Sequence, residues 1–141
     1  MAHTNEMQIQ FKSSSVNEAF ARVAVAAFFS QLDPTVDELY DVKMAVSEAV
    51  TNSIIHGYEN DEENVICIKC SYEGKKGLVE ITDTGKGIAD IEEAMQPLHT
   101  TSEEDERAGL GFTVMQSMMD EVEVSSAVGQ GTTVKLIKTF Y

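Results

Sequence analysis

Asp83-Thr84-Gly85-Lys86-Gly87-Ile88 follows directly on a run near 78–83 that reads as a strand. An aspartate at a strand end can accept a hydrogen bond from an exocyclic amine. Two glycines let the backbone turn tightly and approach a ligand closely. An ordinary turn has the same composition, since Asp-x-Gly is common turn chemistry. The loop has to be read with its neighbours.

Upstream, the spacing predicts a second strand near 64–72, joined to the first through Gly74–Gly77. Before it lies a helix opened by the capping box Thr35-Val36-Asp37-Glu38 and running to about His56, with Gly57 just past its end. This helix carries Glu48-Ala49-Val50-Thr51-Asn52. Glu48 and Asn52 project from one face, while Leu39, Val42, Val46 and Val50 form a stripe on the other. A carboxylate and a carboxamide stacked in this way can orient an attacking hydroxyl and ligate Mg²⁺ through oxygen. The same pair on a polar helix face is commonly just solvated. Further upstream, Ser15-Val16-Asn17-Glu18 predicts another capping box and a helix to about Gln31, broken by Asp33-Pro34. Met7 to Lys12 reads as an opening strand.

Downstream, a short helix is predicted near 90–95, then a polar stretch over 97–108, then a helix from about Gly111 to Met119. Gly109-Leu110-Gly111-Phe112 at that helix start would expose backbone N–H groups at the positive end of the dipole, a phosphate cradle. It is not the Walker pattern, because no G-K-[ST] follows. Strands near 121–127 and 132–139, joined by Gly129-Gln130-Gly131, close the chain. Gly131-Thr132-Thr133 taken alone is a hairpin exit. The order β-α-α-β-β-α-α-β-β implies an α/β (α+β) two-layer sandwich, with helices on one face of a mixed, mostly antiparallel sheet.

The 141 residues fit one domain, spanning 1–141, with no repeat or linker. No stretch approaches a membrane span, and the N-terminus lacks a basic segment followed by an apolar run. Cytoplasmic residence without membrane contact is the expectation. The net charge of −14 opposes direct nucleic-acid binding and suits basic partners. Cys67 and Cys70 stand three apart on a predicted strand, so they face opposite sides and read as structural thiols. Between Lys76 and Lys135 the cations are Lys86 and Arg107. Arg107 follows Glu103-Glu104-Asp105-Glu106, which a triphosphate would avoid, so Arg107 is the first candidate to meet a γ-phosphate. A surface charge in an acidic loop is the plainer reading of it.

The order and spacing of these motifs resemble the GHKL family of Bergerat-fold ATP-binding domains, which carries an N box, two glycine boxes and a G-T strand in this order. Within it the chain is similar to the bacterial anti-sigma factor/serine-protein kinases of endospore formation. The match rests on Phe20-Ala21-Arg22-Val23, Ser47–Asn52 with Ile55-His56-Gly57-Tyr58, Gln96-Pro97-Leu98 with Thr100-Thr101, and Met119-Asp120-Glu121-Val122. The resemblance implies ATP and ADP as ligands with Mg²⁺. It implies Glu48 as the catalytic glutamate, Asn52 as the Mg²⁺ ligand, Asp83 as reader of the adenine amino group and Thr132 as its support. It makes Gly85, Gly87, Gly109 and Gly111 the pocket backbone, residues 97–108 a mobile lid, and Arg22 a partner contact. The implied partners are a sigma factor and an anti-anti-sigma protein phosphorylated on serine, with the kinase a homodimer. Lys86 stands where family members vary. His56 lies on the N-box helix and is not a phosphoacceptor by this match. Rival readings are an ATP-gated binding module without catalysis, an anti-sigma factor of a stress-response type, a chaperone or topoisomerase fragment, and a histidine-kinase catalytic domain.

Overall fold

A computed structural model describes residues 3–95 and 103–141, with the side chains of 103–109 outside that description. Five strands, β1 (Thr4–Lys12), β2 (Val65–Glu73), β3 (Lys76–Asp83), β4 (Glu121–Ala127) and β5 (Gly131–Thr139), form one sheet in the order β1-β2-β3-β5-β4. All four pairings are antiparallel, so the expected mostly antiparallel sheet is wholly so. The helices α1 (Val16–Phe29), α2 (Val36–Asn52), α3 (Ile91–Ala94) and α4 (Glu103–Met118) complete the described elements.

Period-two alternation decides which sheet face is covered. Ile66, Ile68 and Cys70 of β2, Val79 and Ile81 of β3, and Val134 and Leu136 of β5 are buried on one face. They meet Val25 and Phe29 of α1, Val42, Val46 and Val50 of α2, and Met115 of α4. The predicted α2 stripe is therefore the core stripe, with Leu39 half-buried at its start. Cys70 is buried and Cys67 half-buried on the other face, and both thiols are free. Burial pushes the Cys70 thiol up to about 12, so it is chemically inert at neutral pH.

The two predicted capping boxes fare differently. Thr35 has extended backbone, and its hydroxyl accepts from the Glu38 N–H while the Glu38 carboxylate accepts from the Thr35 N–H. Ser15 sits in the right-handed helical region and makes no side-chain cap, because a cap hydroxyl needs non-helical backbone to reach back. The helix it opens ends as α at Phe29 and closes with a 3₁₀ turn over Ser30–Leu32. The next helix also departs from expectation at its end. It winds as α to Asn52 and then as a π-helical turn over Ser53–Gly57.

The largest correction concerns α4. Its helix begins at Glu103 rather than near Gly111, so Gly109 and Gly111 lie inside the helix and not at an N-terminal phosphate cradle. The acidic first turn Glu103-Glu104-Asp105 complements the positive end of the dipole and favours the earlier start. Of the expected lid, 97–102 lie outside the described residues, and the rest has helical backbone.

Glu38 is buried, and its second oxygen accepts from the Tyr141 N–H at 3.0 Å. The Thr35 backbone bond holds its carboxyl below the usual glutamate range, with the Tyr141 backbone, the Thr35 hydroxyl and Lys138 adding to this against the cost of burial. A lowered folded value means stability present at neutral pH and lost as pH falls through it. Glu38→Ala should therefore cost about 1–3 kcal/mol at pH 7 and clearly less near pH 4. Urea unfolding at both pH values measures this; an equal cost at the two would remove the charge from the account.

Candidate functional site

The end of α2, the end of β3 and the start of β5 meet at one place. Asp83, the last residue of β3, pairs across the ladder with Thr132 of β5. Its side chain is 4% exposed. One carboxyl oxygen, Oδ2, accepts from the Ser53 hydroxyl at 2.8 Å, and Oδ1 accepts from the Gly85 N–H at 3.0 Å. Two further ties fix the loop beyond it. Tyr58 Oη accepts from the Thr84 N–H at 2.8 Å, and the Lys86 N–H donates to the Gly57 carbonyl at 2.9 Å.

Glycine is required where these backbones touch. A Cβ on Gly85 would lie 2.1 Å from the Gly57 carbonyl oxygen. Gly87, at φ +78°, would place one 2.1 Å from the Ala127 carbonyl oxygen. The glycines after Asp83 thus serve close approach between the α2 end, the loop and the β4–β5 hairpin.

Above this floor is a cavity of about 220 Å³. Asn52, Ser53, His56, Asp83, Lys86, Gly87, Ile88, Phe112, Thr132 and Val134 are among the residues that line it. An apolar wall with a few convergent polar groups is the usual form of a small-molecule site. The structure brings Asn52, Asp83, Gly87 and Thr132 to this cavity, and Gly85 binds its floor from behind.

Glu48 and Asn52 lie side by side at the contact between α2 and α4. A Cβ on Gly111 would stand 3.0 Å from Glu48 Oε2 and 3.3 Å from both ends of the Asn52 carboxamide. Gly111 is thus a close-packing residue that leaves these two polar groups room. Burial, and then the negative charge of Glu18 on α1, raise the Glu48 carboxyl above the usual glutamate range. Asn52 Nδ2 is buried and has no hydrogen-bond partner among the described residues. The two ends of a carboxamide are exchangeable by rotation, so Asn52 offers a buried oxygen or N–H to an incoming group. That fits a Mg²⁺ ion, which takes oxygen ligands, keeps several waters and draws others from phosphates.

Arg22 stands apart from the cavity, on α1. Its guanidinium lies 3.3 Å from Glu18 Oε1 and is 41% exposed. Through Glu18 it is electrostatically linked to Glu48. Gly109 lies within α4, and the Arg107 side chain is outside the described residues. Lys86 lines the cavity and reaches Glu59 at 3.8 Å across its edge. Sequence reasoning missed Ser53 and Ser126. Ser126 accepts from the Ile88 N–H and lies 2.8 Å from the Thr132 hydroxyl. Serines give no pattern of their own; Ser53 directly follows Asn52, which was the available signal.

Comparison with known proteins agrees with this geometry. The model of the histidine kinase-like ATPase domain matches residues 11–138. The anti-sigma F factor of Thermoanaerobacter sp. (strain X514) is 59% identical over 138 residues, covering 98% of this chain and 96% of the relative. That of Geobacillus stearothermophilus is 57% identical, covering 96% of this chain and 93% of the relative. The fold recurs in the crystal structure of the RsbU and RsbW domains of a Mycobacterium tuberculosis protein, with a TM-score of 0.70 at 17% identity over 96% of this chain and 32% of that one. It recurs in a blue-light activated histidine kinase of Erythrobacter litoralis, with a TM-score of 0.59 at 19% identity over 84% of this chain and 40% of that one. With a domain match over residues 11–138 and relatives 57–59% identical along nearly the whole chain, the chain belongs to the histidine kinase-like ATPase family and, within it, to the anti-sigma F factors.

Proposed function

We propose that this protein is an anti-sigma factor that holds a sporulation sigma factor and, as an ATP-dependent protein-serine kinase, phosphorylates and inactivates the anti-anti-sigma protein that opposes it. The observation that carries this reading is the placement of Glu48 and Asn52 beside the cavity floored by Asp83. A pure binding module needs Asp83 but has no use for a half-buried glutamate. The test is transfer of labelled phosphate from ATP to the anti-anti-sigma protein, followed by acid treatment. Phosphoserine survives acid and a phosphohistidine does not; acid-labile label would defeat the serine assignment.

In this reading Asp83 accepts from the adenine amino group and Thr132 supports it. Asn52 would hold Mg²⁺, which when bound would neutralise phosphate charge. Glu48 accepts the proton of the acceptor serine as its oxygen attacks the γ-phosphorus. That bond forms as the bond to the ADP oxygen breaks, and the phosphoryl group passes to serine. Gly85 and Gly87 keep the pocket backbone close, with Gly109 and Gly111 on its α4 side. Arg107 meets the γ-phosphate and so distinguishes ATP from ADP. Arg22 meets a carboxylate of the partner. The protein works as a homodimer in the cytoplasm; no helix among the described residues is long and apolar enough to cross a membrane.

The raised Glu48 carboxyl sets two signs. As a base it must be ionised, so kcat should fall on acidification through a midpoint above the ordinary glutamate value. A raised folded value also means that the ionised group opposes folding at neutral pH, an effect that fades as pH falls to the unfolded value. Glu48→Gln should thus lower phosphoryl transfer by ~10²–10⁴-fold, leave ATP affinity within a few-fold, and raise the melting temperature at pH 7. Rapid-quench kinetics, calorimetry and thermal melts read the three. Undiminished transfer removes Glu48 from the mechanism.

Asp83→Asn places a donor NH₂ where an acceptor oxygen stood, in a buried position. An unsatisfied pair there costs about 1–3 kcal/mol. ATP affinity should drop at least about tenfold, and the preference over GTP should vanish. Calorimetry returning unchanged ATP affinity would sink the assignment.

The charge of −14 predicts steered association with a basic sigma factor. Screening sets in beyond ~8 Å at physiological salt, so the on-rate should fall steeply as salt rises. ATP should favour the sigma factor over ADP, and Arg107→Ala should flatten that difference. Arg22→Ala should weaken partner binding and leave nucleotide affinity unchanged. Surface plasmon resonance with each nucleotide at two salt concentrations tests all of this. Equal affinities with ATP and ADP and a salt-independent on-rate would defeat both the switch and the steering.

A further inference from the structure

The hydroxyl protons of Ser53, Ser126 and Thr132 beside Asp83 can be followed one by one, and all three point away from the cavity. Ser53 is 5% exposed, and its single hydroxyl proton goes to Asp83 Oδ2. Ser126 has one proton, and the Gly131 carbonyl 2.9 Å away can only accept it. The Thr132 hydroxyl, 2.8 Å from Ser126 Oγ, must then be the donor in that pair. Ser126 Oγ also accepts from the Ile88 N–H at 2.7 Å. Ser53, Asp83 and Thr132 all line the cavity, so each presents it with lone pairs and no proton.

We propose that Ser53 and Ser126 are positioning residues that make the pocket floor acceptor-only, and that this proton direction, rather than Asp83 alone, selects a purine bearing a 6-amino group. The inference rests on the nucleotide reading above. An adenine amine supplies protons to such a floor. A 6-oxo purine brings a carbonyl oxygen against oxygens that have no proton to give, a repulsive pairing in a dry site.

The two serines act by different routes. Ser53, which bonds Asp83, is the first residue of the π turn, and π turns often mark functional positions. Its bond holds the carboxyl in place. With alanine there, Asp83 keeps the Gly85 bond and gains freedom to turn its other oxygen away from a carbonyl. Ser126 works one residue further out. With alanine there, Thr132 loses the acceptor for its proton, and the hydroxyl can rotate to donate into the cavity. Both changes relax the rejection of a 6-oxo group, although neither serine is the group that meets the amine.

The test compares ATP with inosine triphosphate, which carries a carbonyl in place of the 6-amino group and a proton on N1. Affinities are measured by calorimetry on the full chain for wild type, Ser53→Ala, Ser53→Thr and Ser126→Ala. Wild type should prefer ATP. Ser53→Ala and Ser126→Ala should each narrow the ATP-to-ITP ratio by roughly three- to tenfold, the scale of one buried hydrogen bond. In Ser126→Ala the narrowing should include tighter ITP binding. Ser53→Thr keeps the hydroxyl and should keep the ratio. A role in mere stability would weaken both nucleotides alike and leave the ratio where it was; that result in both alanine variants overturns the proposal. A wild type that binds ATP and ITP equally overturns the adenine reading itself, and this inference with it. Circular dichroism melts accompany each variant, and Ser126→Ala supplies the answer if Ser53→Ala does not fold.

Discussion

The Asp83 carboxyl is the constraint around which the site is arranged. Burying such a group without partners costs several kcal/mol, so the surrounding chain has to supply donors. It does so from two directions: Gly85 N–H from the loop and Ser53 Oγ from the α2 end. Those two bonds demand that the helix end and the loop lie in contact, and that demand explains the local sequence. A Cβ on Gly85 would run into the Gly57 backbone, and one on Gly57 would stand 3.0 Å from the Asp83 carboxyl. Tyr58, buried under the loop, ties Thr84 to the Val65 carbonyl and so to the start of β2. The ladder pairing of Asp83 with Thr132 then brings the β4–β5 hairpin to the same point. Three separate pieces of chain are registered on one side chain.

The second constraint is the contact between α2 and α4. Helices approach this closely where a small residue faces larger ones, and Gly111 provides that gap opposite Glu48 and Asn52. The gap leaves Glu48 half-buried next to a like charge, Glu18, whose counterion Arg22 sits on the outer side of α1. Arg22, Glu18 and Glu48 thus run inward from the protein surface as one cation followed by two carboxylates. Burial, and then the negative charge of Glu18, raise the basicity of Glu48 by disfavouring its ionised form. In energetic terms the site holds an unfavourable charge that packing elsewhere in the core offsets.

Much of this was legible from residues alone. The alternation in β2, β3 and β5 fixed the covered face, and Val42, Val46 and Val50 fixed the buried side of α2, because burial follows periodicity. The grouping of Asp83, Asn52 and Thr132 was legible through resemblance, not through any one motif. What failed to show has physical causes. The Ser15 capping box has the right letters, but the backbone there stays helical, and letters do not report φ and ψ. The π turn over Ser53–Gly57 leaves no periodic signature in five residues. The early start of α4 follows from an acidic first turn whose polar composition suits a loop equally well.

Ser53 and Ser126 show why such a site resists reading from sequence. A hydroxyl is both donor and acceptor, so its chemical meaning depends on where its one proton goes. That is decided by a neighbour that can only accept: a carboxyl for Ser53 and a main-chain carbonyl for Ser126. Ser53 and Asp83 are 30 residues apart, and Ser126 meets Gly131 and Thr132 only across the β4–β5 hairpin. The polarity of the pocket floor is consequently a property of the folded ladder rather than of any motif. Two acceptors, one carboxyl and one main-chain carbonyl, thereby give three otherwise ambiguous hydroxyls a single direction.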